Sequence, residues 1–302
     1  MTVRVPAKVN LQLSVGPGRD DGYHDLVTVF HSVSLFDEVT VRPADRASVQ
    51  VTGQDASQVP AGRTNLAARA ARALAAAVKR RGQSGVQIEI RKRIPIAAGL
   101  AGGSADAAAT LVACNELWQA GLTQAELSEI AAGLGSDVPF ALLGGTAIGQ
   151  GRGERLTAAL AAGTYHWVLA FATGGLSTPD VYAACDRLRD AAPVAPPELS
   201  TGLMAALRSG DPAAVGPQLS NDLQPAAVSL RPDLRRALAA GEEGGALGAI
   251  VSGSGPTCAF LAADARRAGE LAVALTGAGV CRGVVRVQGP VPGAAVVAGK
   301  PG

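Results

Sequence analysis

Four short stretches, far apart in the chain, carry residue types that could hold and move a phosphoryl group. The first is Pro95-Ile96-Ala97-Ala98-Gly99-Leu100-Ala101-Gly102-Gly103-Ser104-Ala105, followed by Asp106. Glycines and alanines leave the backbone N–H groups of such a loop uncovered. Placed between a strand and a helix N-terminus, those amides converge on one spot that favours an anion. Ser104 either caps that helix or offers its hydroxyl to a phosphate-bound Mg²⁺. A tight strand-to-helix turn built of small residues is the plain alternative. The second stretch is Pro6-Ala7-Lys8-Val9-Asn10-Leu11. The chain strongly prefers arginine, with lysine only at 8, 79, 92 and 300, so an ammonium at position 8 implies a need for a compact, titratable cation. An edge-strand surface lysine is the competing reading. Third, Gly135-Ser136-Asp137-Val138-Pro139-Phe140 sets Asp137 in a turn, as a proton acceptor or as a turn-former and helix cap. The fourth, Val251-Ser252-Gly253-Ser254-Gly255-Pro256-Thr257, is a second glycine loop or an ordinary β-turn.

Several chemistries are excluded by what the sequence lacks. No lysine follows the glycines, so the first stretch is not a P-loop, and Ala101 breaks the dinucleotide-binding spacing. Protein-kinase signatures are missing as well. Cys114, Cys185, Cys258 and Cys281 are scattered, and His24, His31 and His166 make no metal-ligand spacing, so the cysteines read as reduced apolar fillers. A net charge of +2 gives no basis for nucleic-acid binding. No stretch approaches the roughly 18 unbroken apolar residues of a membrane span, and the N-terminus has no continuous apolar core of the kind a signal peptide needs. The expectation is a cytoplasmic protein with no nucleic-acid or membrane partner.

The elements that must position these residues follow from periodicity. Val3–Val15, Leu26–Leu35, Glu38–Arg42 and Ser48–Thr52 read as strands, with a Gly/Pro/Asp turn at Gly16–Gly22. Thr64–Arg81 reads as a helix stopped by Gly82, and Val86–Arg93 as the strand feeding the glycine-rich run. Helices over Ser104–Gln119 and Thr123–Leu134 follow, the second opened by the capping box Thr123-x-x-Glu126; Gly145–Gln150 is strand-like. A second half begins with a strand at His166–Ala172 and a helix started by Thr178-Pro179. Asp190–Glu198 reads as a linker, and strand–strand–helix–strand elements close the chain. A chain of 302 residues has room for two domains of about 100–200 residues each. The pattern predicts an α+β chain of two lobes, residues 1–158 and 159–290, with a flexible tail from 291 to 302.

Taken together and in order, the four stretches resemble the GHMP small-molecule kinase family over most of the chain. Within it, three features point to a branch whose acceptor carries a cytidine diphosphate group. These are Asp21-Gly22-Tyr23-His24 soon after Lys8, Gly-Ser-Asp-Val-Pro-Phe, and Ser220-Asn221-Asp222-Leu223. The resemblance implies a ribosomal-S5-like N-terminal domain that binds ATP and a ferredoxin-like C-terminal domain, with the site between them. It implies ATP as co-substrate with Mg²⁺, and transfer of the γ-phosphoryl group to the 2-hydroxyl of a methylerythritol unit in non-mevalonate isoprenoid synthesis. It assigns Asp137 as general base, Lys8 beside it, and Asn10 as substrate-orienting. Tyr23 and His24 would recognise the cytosine, with Thr178 and Tyr182 near it, although Tyr182 also suits a helix-face core position. Pro95 to Ala105 would bind ATP. The chain would act as a monomer or weak homodimer. Ala98 and Ala101 stand where relatives often have glycine, and keeping the loop's shape then requires φ below zero at both. Kinase activity on a different small alcohol, or a silent nucleotide-binding role, are the competing functions.

Overall fold

The computed structural model describes residues 1–20, 22–79, 85–189 and 193–297. Gly82, Asp21 and the start of the expected linker fall outside them. In chain order the first lobe contains β1 (Thr2–Gly18), β2 (His24–Pro43), β3 (Ser48–Gly53), α1 (Leu66–Ala77), β4 (Val86–Lys92), α2 (Gly102–Leu117), α3 (Gln124–Ala132), α4 (Val138–Leu143), β5 (Thr146–Gly151) and β6 (Arg155–Ala158). There follow β7 (Tyr165–Phe171), α5 (Thr178–Arg189), α6 (Thr201–Ser209), α7 (Pro212–Val215), β8 (Ser220–Asn221), α8 (Gln224–Leu230), α9 (Asp233–Glu243), β9 (Gly248–Val251), β10 (Cys258–Ala262), α10 (Ala265–Gly277), β11 (Gly283–Gly289) and β12 (Ala295–Val296). The α+β, two-sheet architecture is the one expected.

Strand β1 organises the first lobe. Its apolar Val3, Val5, Ala7, Val9 and Leu11 are all buried in the main core. Side chains alternate across a strand, so Lys8 and Asn10 point to the opposite face. The two segments read as separate strands between Leu26 and Arg42 are one 20-residue strand, β2, paired antiparallel along β1. Its pairing with β1 shifts register between Pro6 and Ala7, opposite Phe36 and Val33. Such a bulge lets a long strand bend without breaking. Helix α1 starts at Asn65, whose side chain accepts from Ala67 N, and α3 has the full Thr123–Glu126 capping box.

The second sheet runs β11-β7-β10-β9, wholly antiparallel. Both of its faces are covered. Trp167 and Leu169 of β7 enter the core shared with the first lobe, while Val168 and Ala170 enter a second core under α5 and α8–α10. The described part of the linker is docked rather than loose: Gln12 Nε2 donates to Glu198 O at 2.6 Å, and Gln12 Oε1 accepts from Ser200 N at 3.0 Å.

The flexible tail is a correction. Gly145 N donates to Val291 O, Pro292 bridges to Gly144, and Ala295 and Val296 pair with Arg4 and Val3 of β1. The N-terminal end of β1 has a free edge there, and returning chain satisfies its backbone groups. Residues 298–302 lie outside the described set. Among the described residues no helix is long and apolar enough to cross a membrane.

Candidate active site

A cleft of about 1090 Å³ opens between the two lobes. Lys8 reaches it from β1, buried to 6% exposure. Its Nζ donates to Asn10 Oδ1 at 2.6 Å and stands 3.7 Å from Asp137 Oδ2. Asn10 is held in turn: its Nδ2 donates to Thr28 Oγ1, which donates to Gln12 O. Burial pushes the Lys8 ammonium below its ordinary range, and the Asp137 carboxylate pulls the other way. Asp137 sits at the N-cap of α4, yet its side chain makes no capping bond. It faces the cleft with its side chain 31% exposed, so the helix-cap reading does not hold.

The glycine-rich run turns from β4 into α2. Ala97, Ala98, Gly99, Ala101, Gly102, Gly103 and Ser104 line the cleft. Pro95, Leu100 and Ala105 are instead buried, and Ile96, partly buried, is likewise not among the lining residues. Above Gly103 a Cβ would meet nothing, so the first turn of α2 is open to the cleft. The expectation that Ala101 keeps φ below zero is overturned: Ala101 has φ 59° as the N-cap of α2, and Ala97 has φ 49°. Ala98 is not among the positive-φ residues. Left-handed alanine costs about 1–2 kcal/mol. Ser104 is not the cap; its hydroxyl has no side-chain partner among the described residues.

The second glycine loop is what the first packs on. Ser252 Oγ donates to Gly99 O at 3.1 Å and Thr257 N to Ala98 O. A Cβ at Gly99 would lie 2.0 Å from Ser252 O, and one at Gly253 would lie 3.1 Å from Lys8 Nζ. Asn221 fixes this loop by donating to Val251 O and Gly253 O, both at 2.7 Å. Thr178 and Ser254 share a 2.9 Å hydrogen bond between their hydroxyls.

Tyr23, His24 and Tyr182 gather at the other end of the cleft. His24 is buried, with its ring 5.1 Å from that of Tyr182, which is itself packed on the second core. Tyr23 is half exposed, and the Arg152 guanidinium carbon lies 5.0 Å from its ring centroid.

Three features escaped sequence reasoning. Arg152 and Asp186 line the cleft without belonging to any spaced motif. Beneath the glycine-rich run, Lys92 Nζ bridges Asp37, Asp106 and Gly102 O. Asp37 Oδ1 accepts from Arg93 N and Ile94 N, whereas the buried Asp106 Oδ1 has no partner among the described residues. Burial raises the Asp106 carboxyl to about 8, opposed by Lys92 and reinforced by Asp37. The scarcity of lysine that singled out Lys8 applied equally to Lys92.

An open, glycine-rich helix N-terminus, a lysine–aspartate pair and a cluster of aromatic rings share one inter-lobe cleft. The chain belongs to the GHMP kinase family: residues 65–145 match the GHMP kinases N terminal domain and residues 203–281 the GHMP kinases C terminal domain. It is 59% identical over 299 residues to a 4-diphosphocytidyl-2-C-methyl-D-erythritol kinase of Mycolicibacterium smegmatis, covering 98% of this chain and 92% of the relative. To the same-named protein of Thermobifida fusca it is 56% identical, covering 98% of both. A crystal structure of 4-(cytidine 5'-diphospho)-2C-methyl-D-erythritol kinase superposes with a TM-score of 0.77 at 36% identity, over 95% of this chain and 98% of that one. A homoserine kinase from Cytophaga hutchinsonii, 21% identical with a TM-score of 0.74 over 98% of this chain and 97% of that one, shares the fold.

Proposed function

We infer that this chain is an ATP-dependent kinase that phosphorylates the 2-hydroxyl of 4-diphosphocytidyl-2-C-methyl-D-erythritol, releasing ADP, in non-mevalonate isoprenoid synthesis. The observation that carries it is the common cleft, which joins the open first turn of α2, the Lys8–Asp137 pair and the Tyr23–His24–Tyr182 end.

In this reading the amides from Ala97 to Ser104 and the N-terminus of α2 hold the ATP phosphates. Asp137 accepts the proton of the attacking hydroxyl, and Lys8 stabilises the oxygen as charge develops on it. Phosphoryl transfer asks chiefly for positioning and charge neutralisation, which Asn10 and the Gly253 loop serve by fixing Lys8. Arg152 brings a second cation to the acceptor's diphosphate. Tyr23 and Tyr182 offer aromatic faces to the cytosine, His24 a ring nitrogen, and Thr178 a nearby hydroxyl.

Mg²⁺ fits the donor set only in part. Ser104 has an unspent hydroxyl at the cleft, but Asp106 is committed to Lys92, and no group of three or more His, Cys, Asp or Glu that could hold a metal occurs among the described residues. We therefore assign Mg²⁺ to Ser104 and the nucleotide's own phosphate oxygens, where it would neutralise phosphate charge. We take residues 1–158 and 159–290 as the two domains, with the returning 291–297 segment joined to the first. A cytoplasmic monomer or weak homodimer, with no nucleic-acid or membrane partner, completes the proposal. Phosphorus NMR of a reaction with the cytidine substrate tests it. A new phosphomonoester on the 2-oxygen is expected, and ATP left unconsumed would overturn the reading.

A further inference from the structure

His24 and Asp186 come from different lobes and meet at one wall of the cleft. His24 opens β2, where it pairs with Gly18 of β1, and its ring packs against that glycine and against Tyr182. Asp186 lies one turn beyond Tyr182 on α5, its side chain half exposed. His24 Nε2 and Asp186 Oδ1 are 2.9 Å apart. An ionised carboxylate only accepts, so the hydrogen of that bond belongs to Nε2. In a neutral ring Nδ1 is then an acceptor, and it has no protein partner among the described residues.

We propose that Asp186 is a positioning residue which fixes His24 as the Nε2–H tautomer, and thereby makes the cleft select cytosine over uracil. The two bases differ where such an acceptor would read them: cytosine carries an exocyclic amine that donates, and uracil carries a carbonyl oxygen that accepts. Nδ1 satisfies the first and opposes the second. Discrimination by an unpaired or opposed buried polar group is stronger than discrimination by shape. Because the pair spans both lobes, this wall exists only when the lobes stand as they do here. The inference rests on the cytidine reading of the acceptor and adds to it the residue that enforces the base choice.

The test compares wild type with Asp186→Asn and Asp186→Ala. Asparagine can donate as well as accept, so it no longer dictates the tautomer, while its size and half-exposed position leave α5 intact. Nitrogen-15 NMR of the ring, simplified by there being three histidines, should show Nε2–H alone for His24 in wild type and a mixture of tautomers in the variants. Calorimetric binding of cytidine diphosphate and uridine diphosphate should show wild type preferring cytidine by at least about tenfold, and the variants losing most of that preference. With the full substrate, the KM for the cytidine acceptor should rise about tenfold in the variants, and the KM for ATP should not change. An Nδ1–H tautomer in wild type, or an unaltered base preference in both variants, would overturn the proposal. Failure of the cytidine alcohol as a substrate would instead sink the functional reading. Even then, the diphosphate binding series decides the role of Asp186 without turnover.

Discussion

Lys8 Nζ is bound to Asn10 at 2.6 Å but stands 3.7 Å from Asp137. The ammonium is therefore held by a neutral neighbour on its own strand, with the carboxylate close by but beyond hydrogen-bond distance. Asp137 thus keeps oxygen lone pairs to accept a proton from a hydroxyl. A direct, fully satisfied buried ion pair would have left neither group free to act on a substrate.

Asp137→Asn should lower kcat by about 10²–10⁴ while the dissociation constant for ATP stays within about twofold, because among the described residues its side chain pairs with Lys8 and not with the glycine-rich run. Stopped turnover with intact nucleotide binding, measured by coupled ADP release and calorimetry, is the expected pair of results. Near-normal kcat would remove Asp137 as the base.

The lowered Lys8 pKa has a sign that can be checked. Above that pKa the ammonium is lost, so turnover should fall on an alkaline limb that begins below the ordinary lysine value of 10.5. Between the lowered pKa and 10.5 the unfolded chain binds more protons than the folded one, so Lys8's contribution to stability improves as pH rises there. The difference in melting temperature between wild type and Lys8→Met should therefore drift in favour of wild type across that window. A flat difference, or an alkaline limb no earlier than ordinary lysine, would contradict the assignment.

Asp106 shows the opposite linkage. Its folded pKa is raised to about 8 from an ordinary 3.8, so the folded state binds the extra proton between those values and stability falls as pH climbs through them. Asp106→Asn mimics the protonated form and should gain on wild type as pH is raised from about 5 to about 8.5. Asp37→Asn, by contrast, removes the carboxylate that pairs with Lys92 beside Asp106 and should cost about 3–5 kcal/mol. Denaturant titrations at both pH values measure each effect, and equal behaviour of the two variants would refute the division of roles.

Two single-residue changes in the glycine-rich run should move in opposite directions. Gly99→Ala places a methyl 2.0 Å from Ser252 O at φ 75°, so it should destabilise the chain and raise the KM for ATP. Ala101→Gly removes left-handed strain of about 1–2 kcal/mol against an entropic cost of about 0.5–1, for a net gain of up to about 1.5 kcal/mol with ATP affinity kept. Urea unfolding and nucleotide titration check both, and a destabilised Ala101→Gly would show that the strain is not stored there.

The parts legible in the sequence were those with local chemistry. Period-two alternation gave β1 and with it the face carrying Lys8 and Asn10, and the Thr123–Glu126 box gave the start of α3. The small residues from Ala97 to Ser104 announced an open helix N-terminus. What could not be read depends on distant chain. Nothing local to Val291–Val297 says that β1 has a free edge waiting for it. Arg152 and Asp186 acquire meaning only from Tyr23 and His24 across the cleft. The φ of Ala101 was misjudged because residue preference was applied without the packing of Gly99 on Ser252 that holds the turn.

The central claim is the acceptor. The most direct measurement is a coupled ADP-release assay on the wild-type chain with ATP and, in parallel, 4-diphosphocytidyl-2-C-methyl-D-erythritol, homoserine and mevalonate. Release stimulated by the cytidine alcohol and by neither of the others is the predicted result. Stimulation by homoserine or mevalonate but not by the cytidine alcohol would contradict the account.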